Sequence, residues 1–195
     1  MPNIILTEYC NLKCPYCFAS KMIEDAKEND FNKNITEEQL LFILKWLKPT
    51  AISRDYSIGL IGGEPTLHPN FSKILEIVNS YNQETETNSI IFTNGILLKQ
   101  YLHQIGEKMS MLININKITN KNTLNKLLDT LDEINTLNWF EIQKVTLGCN
   151  LYLQETDYSF FWNIVDRYRN IKKVRMSVTA PNNPELKKNK ELYYN

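Results

Sequence analysis

The chain has 195 residues, 43% of them hydrophobic and 23% charged, with 22 basic side chains set against 22 acidic ones. That length suits one domain with one substantial core, and the neutral balance lacks the positive excess by which nucleic-acid binders neutralise phosphates. No run reaches the roughly 20 apolar residues of a membrane span, and the N-terminus has no basic flank or long apolar stretch, so no membrane or secretory signal is read and a cytoplasmic address is expected.

Asn3–Thr7 is the first predicted strand, an apolar run bounded by polar residues. Cys10, Cys14 and Cys17 follow it at once, separated by three and two residues. Clustered cysteines without a secretory signal read as metal binding in a reducing compartment rather than as a disulfide framework. A thiolate trio this tight fits one iron–sulfur cluster and supplies three ligands for four irons, leaving one iron open to a ligand that is not protein. A structural zinc knuckle is the alternative, but zinc takes four closed ligands and no His or further Cys lies nearby to complete the set.

Ser20–Asn34 is polar, charge-rich and aperiodic, and is expected to be a mobile loop. Thr36 then caps a helix with Glu37 and Glu38 in its first turn and an apolar set of Leu40, Leu41, Ile43, Leu44 and Leu47. The strand Tyr56–Ile61 ends in Gly62-Gly63-Glu64-Pro65, where the glycines allow close approach to a ligand or simply turn the chain. Further along, helical patterns at Pro69–Tyr81, Leu97–Lys108, Asn120–Asn135 and Asp157–Arg169 alternate with strands at Ser89–Thr93, Met111–Asn116, Lys144–Tyr152 and Lys173–Thr179. Strands alternating with helices give an α/β chain with parallel pairing and right-handed crossovers. The last fifteen residues, 181–195, are polar and Lys-rich with no apolar stripe. They read as a polar tail or as the start of a further C-terminal region, with the cover for the last strand coming from sequence beyond a shortened chain or from a partner.

Strand alternation sorts the remaining candidates. In Leu112–Asn116 the isoleucines face one way and Asn114 and Asn116 the other; polar side chains in a barrel mouth need partners, solvent or ligand. Thr93, Asn94 and Gly95 close the third strand, where Asn94 either faces a ligand or makes an Asx turn. Thr146, Gly148 and Asn150 share one parity, and Arg175, Ser177 and Thr179 another; Arg175 either pairs with a carboxylate or is a surface charge. Cys149 has the opposite parity to Asn150 and is expected to be a buried small hydrophobe. His68 and His103 read as structural or surface residues. Tyr152, Tyr158, Phe160, Phe161, Trp162 and Tyr168 are expected to pack the fifth helix, with a peptide or partner groove as the sharper alternative.

Cys10-x3-Cys14-x2-Cys17 with Tyr16 before the last cysteine, followed by Gly62-Gly63-Glu64-Pro65 at the end of the second strand, resembles the radical S-adenosylmethionine (SAM) superfamily over residues 1 to about 180. The resemblance implies a core domain over residues 1–180, folded as a partial (β/α)6 TIM-like barrel open on one side, with its site at the C-terminal strand ends. It implies a [4Fe–4S] cluster on the three cysteines and SAM on its open iron, cleaved to a 5′-deoxyadenosyl radical that modifies a peptide or a small molecule. It also implies roles for single residues. Tyr16 lies beside the adenine, and the Gly62–Pro65 segment with the Glu64 carboxylate meets the methionyl amine. Asn114, then Asn116, reach the ribose, although relatives often carry Ser and Asp there. Asn94, Asn150, Arg175 and Ser177 complete the candidate set, and flavodoxin or ferredoxin is the expected electron donor. A glycyl-radical-enzyme activase, or a non-catalytic iron–sulfur or zinc module that binds a partner, are the competing readings.

Overall fold

Short β-branched and aliphatic runs form six strands: β1 (Asn3–Ile5), β2 (Ser57–Ile61), β3 (Asn88–Thr93), β4 (Met109–Asn114), β5 (Val145–Leu151) and β6 (Val174–Val178). The computed structural model describes residues 1–17, 19–28, 33–53, 56–152 and 157–178. Every neighbouring pair is parallel and the spatial order is 1-2-3-4-5-6. β1 and β6 are the two ends of the sheet, so the barrel is partial and open between them, as expected.

Helices α1 (Ser20–Glu28), α2 (Glu37–Ser53), α3 (Phe71–Thr85), α4 (Lys121–Thr136) and α5 (Ser159–Arg167) connect the strands. Thr36 starts α2 with a capping box: its hydroxyl accepts from Gln39 N at 3.2 Å and its own N–H donates to Gln39 Oε1 at 2.9 Å. Asn120 starts α4 by accepting from Thr123 N at 3.0 Å. The outward faces of the strands (Ile4, Leu6, Ile58, Leu60, Ile91, Ile113, Leu147) form one core with Leu40, Leu75, Leu127, Leu131 and Phe161 of the helices. Each fully buried side chain of this kind contributes roughly 1.5–3 kcal/mol. The inward face is less covered: Ile5 on β1 is 49% exposed. The open side of the barrel interior therefore has room for something other than protein.

Three expectations need correction. Ser20–Asn34 is not a mobile loop throughout, because Ser20–Glu28 is α-helical. Ile23 N donates to Ala19 O at 3.0 Å and both residues are buried, so two apolar anchors one turn apart seat a short polar helix. Lys33 and Ile35 then bond to Glu8 and Leu6, flanking the end of β1. Second, the connection over Leu97–Lys108 is a 3-10 helix at Leu98–Gln104, with Leu98 and Leu102 buried. A 3-10 helix rises about 2.0 Å per residue against 1.5 Å for an α-helix, so it spans the sheet with fewer residues. Third, Leu41 is 53% exposed, beside Phe42 at 70% and Trp46 at 76%; the buried face of α2 is Leu40 and Leu44. Thr179 and 181–195 lie outside the described residues. Among the described residues, nothing covers the outer side chains of β6, Val174, Met176 and Val178.

Candidate active site

The chain leaves β1 and passes directly over the C-terminal end of β2. Gly63 N donates to Thr7 O at 2.8 Å and Glu64 N donates to Tyr9 O at 2.7 Å. A Cβ on Gly62 would stand 2.4 Å from Thr7 O, and one on Gly63 2.2 Å from Tyr9 O. Both contacts are with backbone, which cannot swing aside. The glycines therefore serve first to let the entry of the cysteine loop lie flat on the strand end.

Cys10, Cys14 and Cys17 are all half-buried on this loop. Cys17 N donates to Cys14 O at 3.1 Å, closing a turn, and Leu12 N points at Cys10 Sγ at 3.4 Å. Burial pushes the Cys14 thiol up to about 11, and the charges of Cys10 and Cys17 add to the rise. Three thiolates that feel one another repel in an apolar seat; iron placed among them reverses that balance, since metals bind the deprotonated form. Three sulfurs are the donor chemistry that holds an iron–sulfur cluster, but among the described residues the three cysteines do not stand together as a ready metal-holding group.

Beside the loop lies a cavity of about 280 Å³, near the lower end of small-molecule sites. Cys14, Tyr16, Asn116, Asn150, Tyr152 and Phe160 are among the residues that line it. The Tyr16 hydroxyl donates to Asn116 Oδ1 and is also hydrogen-bonded to Asn150, while its ring packs on Tyr152 with centroids 5.0 Å apart. Burial and the neighbouring Cys14 drive the Tyr16 phenol well above its ordinary value, so it stays protonated. Asn116 Oδ1 also lies 3.5 Å from Cys14 Sγ, and its Nδ2 donates to Asn114 O at 3.0 Å.

The other candidates go elsewhere. Glu64 is 1% exposed. Its Oε1 accepts from Thr66 N, Thr66 Oγ1 and Thr93 Oγ1 at 3.2, 2.6 and 2.6 Å, and its Oε2 from Asn94 N at 2.8 Å. Burial pushes its carboxyl above the ordinary value, against the pull of these donors. These four hydrogen bonds hold the carboxylate between the ends of β2 and β3. Pro65, buried, opens a 3-10 turn behind it. Asn94 makes the Asx turn, accepting from Ile96 N at 3.1 Å, and also donates to Asn11 Oδ1 at 2.7 Å. Asn114 sits over Gly148, where a Cβ would approach its Oδ1 to 2.7 Å. Asn114 points into the barrel but does not line the cavity. Arg175 is exposed and donates to Ser177 Oγ at 3.2 Å; on β6, neither lines the cavity. Cys149 is 1% exposed in the core, as its parity requires, and burial pushes its thiol up to about 11. His68 is structural: its Nδ1 accepts from Asn70 N at 3.1 Å, so Nε2 donates to Ile35 O at 2.9 Å. Sequence reasoning missed Asn11, which carries no signal beyond following Cys10, and read Tyr152 as packing the fifth helix or lining a peptide or partner groove, not as a neighbour of Tyr16.

The profile of the Radical SAM superfamily matches residues 4–160. Among curated proteins, a GTP 3′,8-cyclase of Clostridium perfringens is 28% identical over 145 residues, 67% of this chain and 41% of that protein. An S-adenosylmethionine-dependent nucleotide dehydratase of Flammeovirga pacifica is 33% identical over 125 residues, 61% of this chain and 40% of its own length. The chain therefore spans about two fifths of the curated relatives it matches. Among solved structures, Streptococcus suis SuiB bound to S-adenosylmethionine superposes with a TM-score of 0.61 at 18% identity, covering 93% of this chain and 41% of SuiB. SuiB bound to its precursor peptide SuiA superposes at 0.60 and 21% identity over 91% of this chain and 39% of SuiB, a likeness of fold.

Proposed function

Since this chain belongs to the radical SAM superfamily, we propose that it holds a [4Fe–4S] cluster on Cys10, Cys14 and Cys17 and cleaves SAM reductively to begin radical chemistry on a bound substrate. The observation that carries the reading is the shared cavity of about 280 Å³, which Cys14 and Tyr16 line together with their hydrogen-bond partners Asn116 and Asn150. When bound, the cluster supplies the electron that breaks the sulfonium C–S bond, releasing a 5′-deoxyadenosyl radical.

The chain's own residues bind, orient and shield. Asn150 offers both donors and acceptors, the pairing that ribose hydroxyls and base edges require, and Asn116, which already bonds Tyr16 and Asn114, adds its second amide hydrogen and lone pair. The faces of Tyr16 and Tyr152 offer a surface for adenine. The methionyl amine is assigned to backbone at Gly62 and Gly63, because the Glu64 carboxylate is already engaged. Leu12, Ile118 and Phe160 are the apolar part of the wall that keeps water from the reacting carbon. Electrons come from a flavodoxin or ferredoxin.

The substrate is a small molecule or a peptide at the barrel mouth. The cavity favours the small molecule: Lys13 and Lys117 stand among its lining residues, and none of the described lining residues is Asp or Glu, although Asp157 lies within electrostatic reach of Lys117. That lining suits an anionic, hydroxyl-bearing ligand, and the curated relatives are named for nucleotide chemistry. Equilibrium dialysis of labelled SAM against the reconstituted chain tests the site. Asn150→Ala and Tyr16→Ala are expected to weaken binding roughly tenfold each, the scale of one or two lost hydrogen bonds or ring contacts. Binding unchanged in both variants would remove SAM from this cavity; a cluster without SAM binding would favour the partner-binding module.

A further inference from the structure

The cysteine loop is fastened at two asparagines. On the β4 side, Asn116 meets Tyr16 and Cys14. On the β3 side, Asn94 Nδ2 donates to Asn11 Oδ1 at 2.7 Å, one residue past Cys10. The two ends of this second bond differ in character. Asn11 is exposed, whereas Asn94 is 7% exposed and held from every side. Its backbone N–H donates to Glu64 Oε2, its Oδ1 accepts from Ile96 N, and Gly95 beyond it has a φ of 77° that fixes the turn. Glu64 is itself immobilised by Thr66 and Thr93. A buried carboxylate, a strand end and a tight turn thus converge on one carboxamide whose remaining donor reaches out to the loop.

We propose that Asn94 is a positioning residue: through Asn11 it fixes the backbone between Cys10 and Leu12, and with it the thiolate of Cys10. The proposal rests on the cluster assignment made above. The consequence is local and readable. Leu12 N points at Cys10 Sγ at 3.4 Å, a contact that depends on the backbone angles of Asn11. Hydrogen bonds to cluster sulfurs raise the reduction potential and steady the ligand. Releasing Asn11 therefore lowers the potential and loosens the cluster without touching a ligand.

The test is a cycle of Asn11→Ala, Asn94→Ala and the double variant, each reconstituted with iron and sulfide. The readouts are iron release to a chelator, the midpoint potential and the EPR spectrum of the reduced cluster. Asn11→Ala is expected to release iron roughly fivefold faster, the equivalent of one net hydrogen bond. Its midpoint potential should move negative, while its apo-protein melting temperature should fall only slightly, because Asn11 is exposed and water can replace it as the partner of Asn94 Nδ2. Asn94→Ala should be at least as fast, and the double variant no faster than Asn94→Ala. Asn11→Ala indistinguishable from wild type, or effects that multiply in the double variant, would overturn the clamp. If Asn94→Ala fails to fold, the Asn11 arm decides alone. A wild-type chain that takes up no iron overturns the cluster assignment and the clamp together, whereas a stable cluster indifferent to Asn11 overturns the clamp only.

Discussion

Glu64 changes meaning between sequence and structure. Four donors converge on it at 1% exposure, so Glu64→Ala leaves the Asn94 and Thr66 N–H groups without acceptors. The loss is expected to be roughly 3 kcal/mol, seen as a lower urea midpoint with unchanged slope. Its pH dependence has a definite sign. Burial raises the folded-state pKa above 4.5, so the folded chain keeps a proton that the unfolded chain has released. Stability from this group therefore falls as pH rises from the unfolded value through the folded one, and is level above it; the slope should vanish in Glu64→Ala. That the three cysteines share one half-buried loop was legible from their spacing, and the burial of Cys149 from its parity. The fate of Glu64 was not, because a sequence names a carboxylate without naming the donors that surround it. Alkylation of the apo-protein should label the loop thiols and spare Cys149 until denaturant is added; early labelling of Cys149 would contradict its place in the core.

At the scale of elements, the close crossing of the loop entry over the end of β2 is the feature with least tolerance. Gly63→Ala puts a methyl 2.2 Å from Tyr9 O and Gly62→Ala one 2.4 Å from Thr7 O, backbone against backbone. Each should cost roughly 1–3 kcal/mol. Each should also shift the cysteine loop, so that iron retention drops further than stability does; retention unchanged in both would separate the crossing from the cluster. Strands were readable because β-branched runs bounded by turn residues have few other uses. Helix α1 was not, since its few apolar residues, Met22, Ile23 and Ala26, are small in number and set among charged ones in a segment read as aperiodic. The 3-10 connection after β3 was read as an α-helix because Leu98 and Leu102, four residues apart, share one face at the α-helical pitch, whereas at the 3-10 pitch they stand a third of a turn apart.

For the whole molecule, parallel pairing in sequence order places the ends of β2, β3, β4 and β5 around one loop. That topology gathers Gly62, Asn94, Asn116 and Asn150 from strands far apart in the chain. The alternation of strands and helices made this arrangement legible; which polar ends face the cavity, and that Arg175 and Ser177 do not, followed only from the way the open sheet closes. Among the described residues no helix is long and apolar enough to cross a membrane. Cleavage of SAM by this barrel is tested anaerobically: the chain is reconstituted with iron and sulfide, dithionite and SAM are added, and 5′-deoxyadenosine is quantified by chromatography. Product is expected from the wild type and none from Cys14→Ala. A well-formed cluster that binds no SAM and yields no 5′-deoxyadenosine would contradict that expectation.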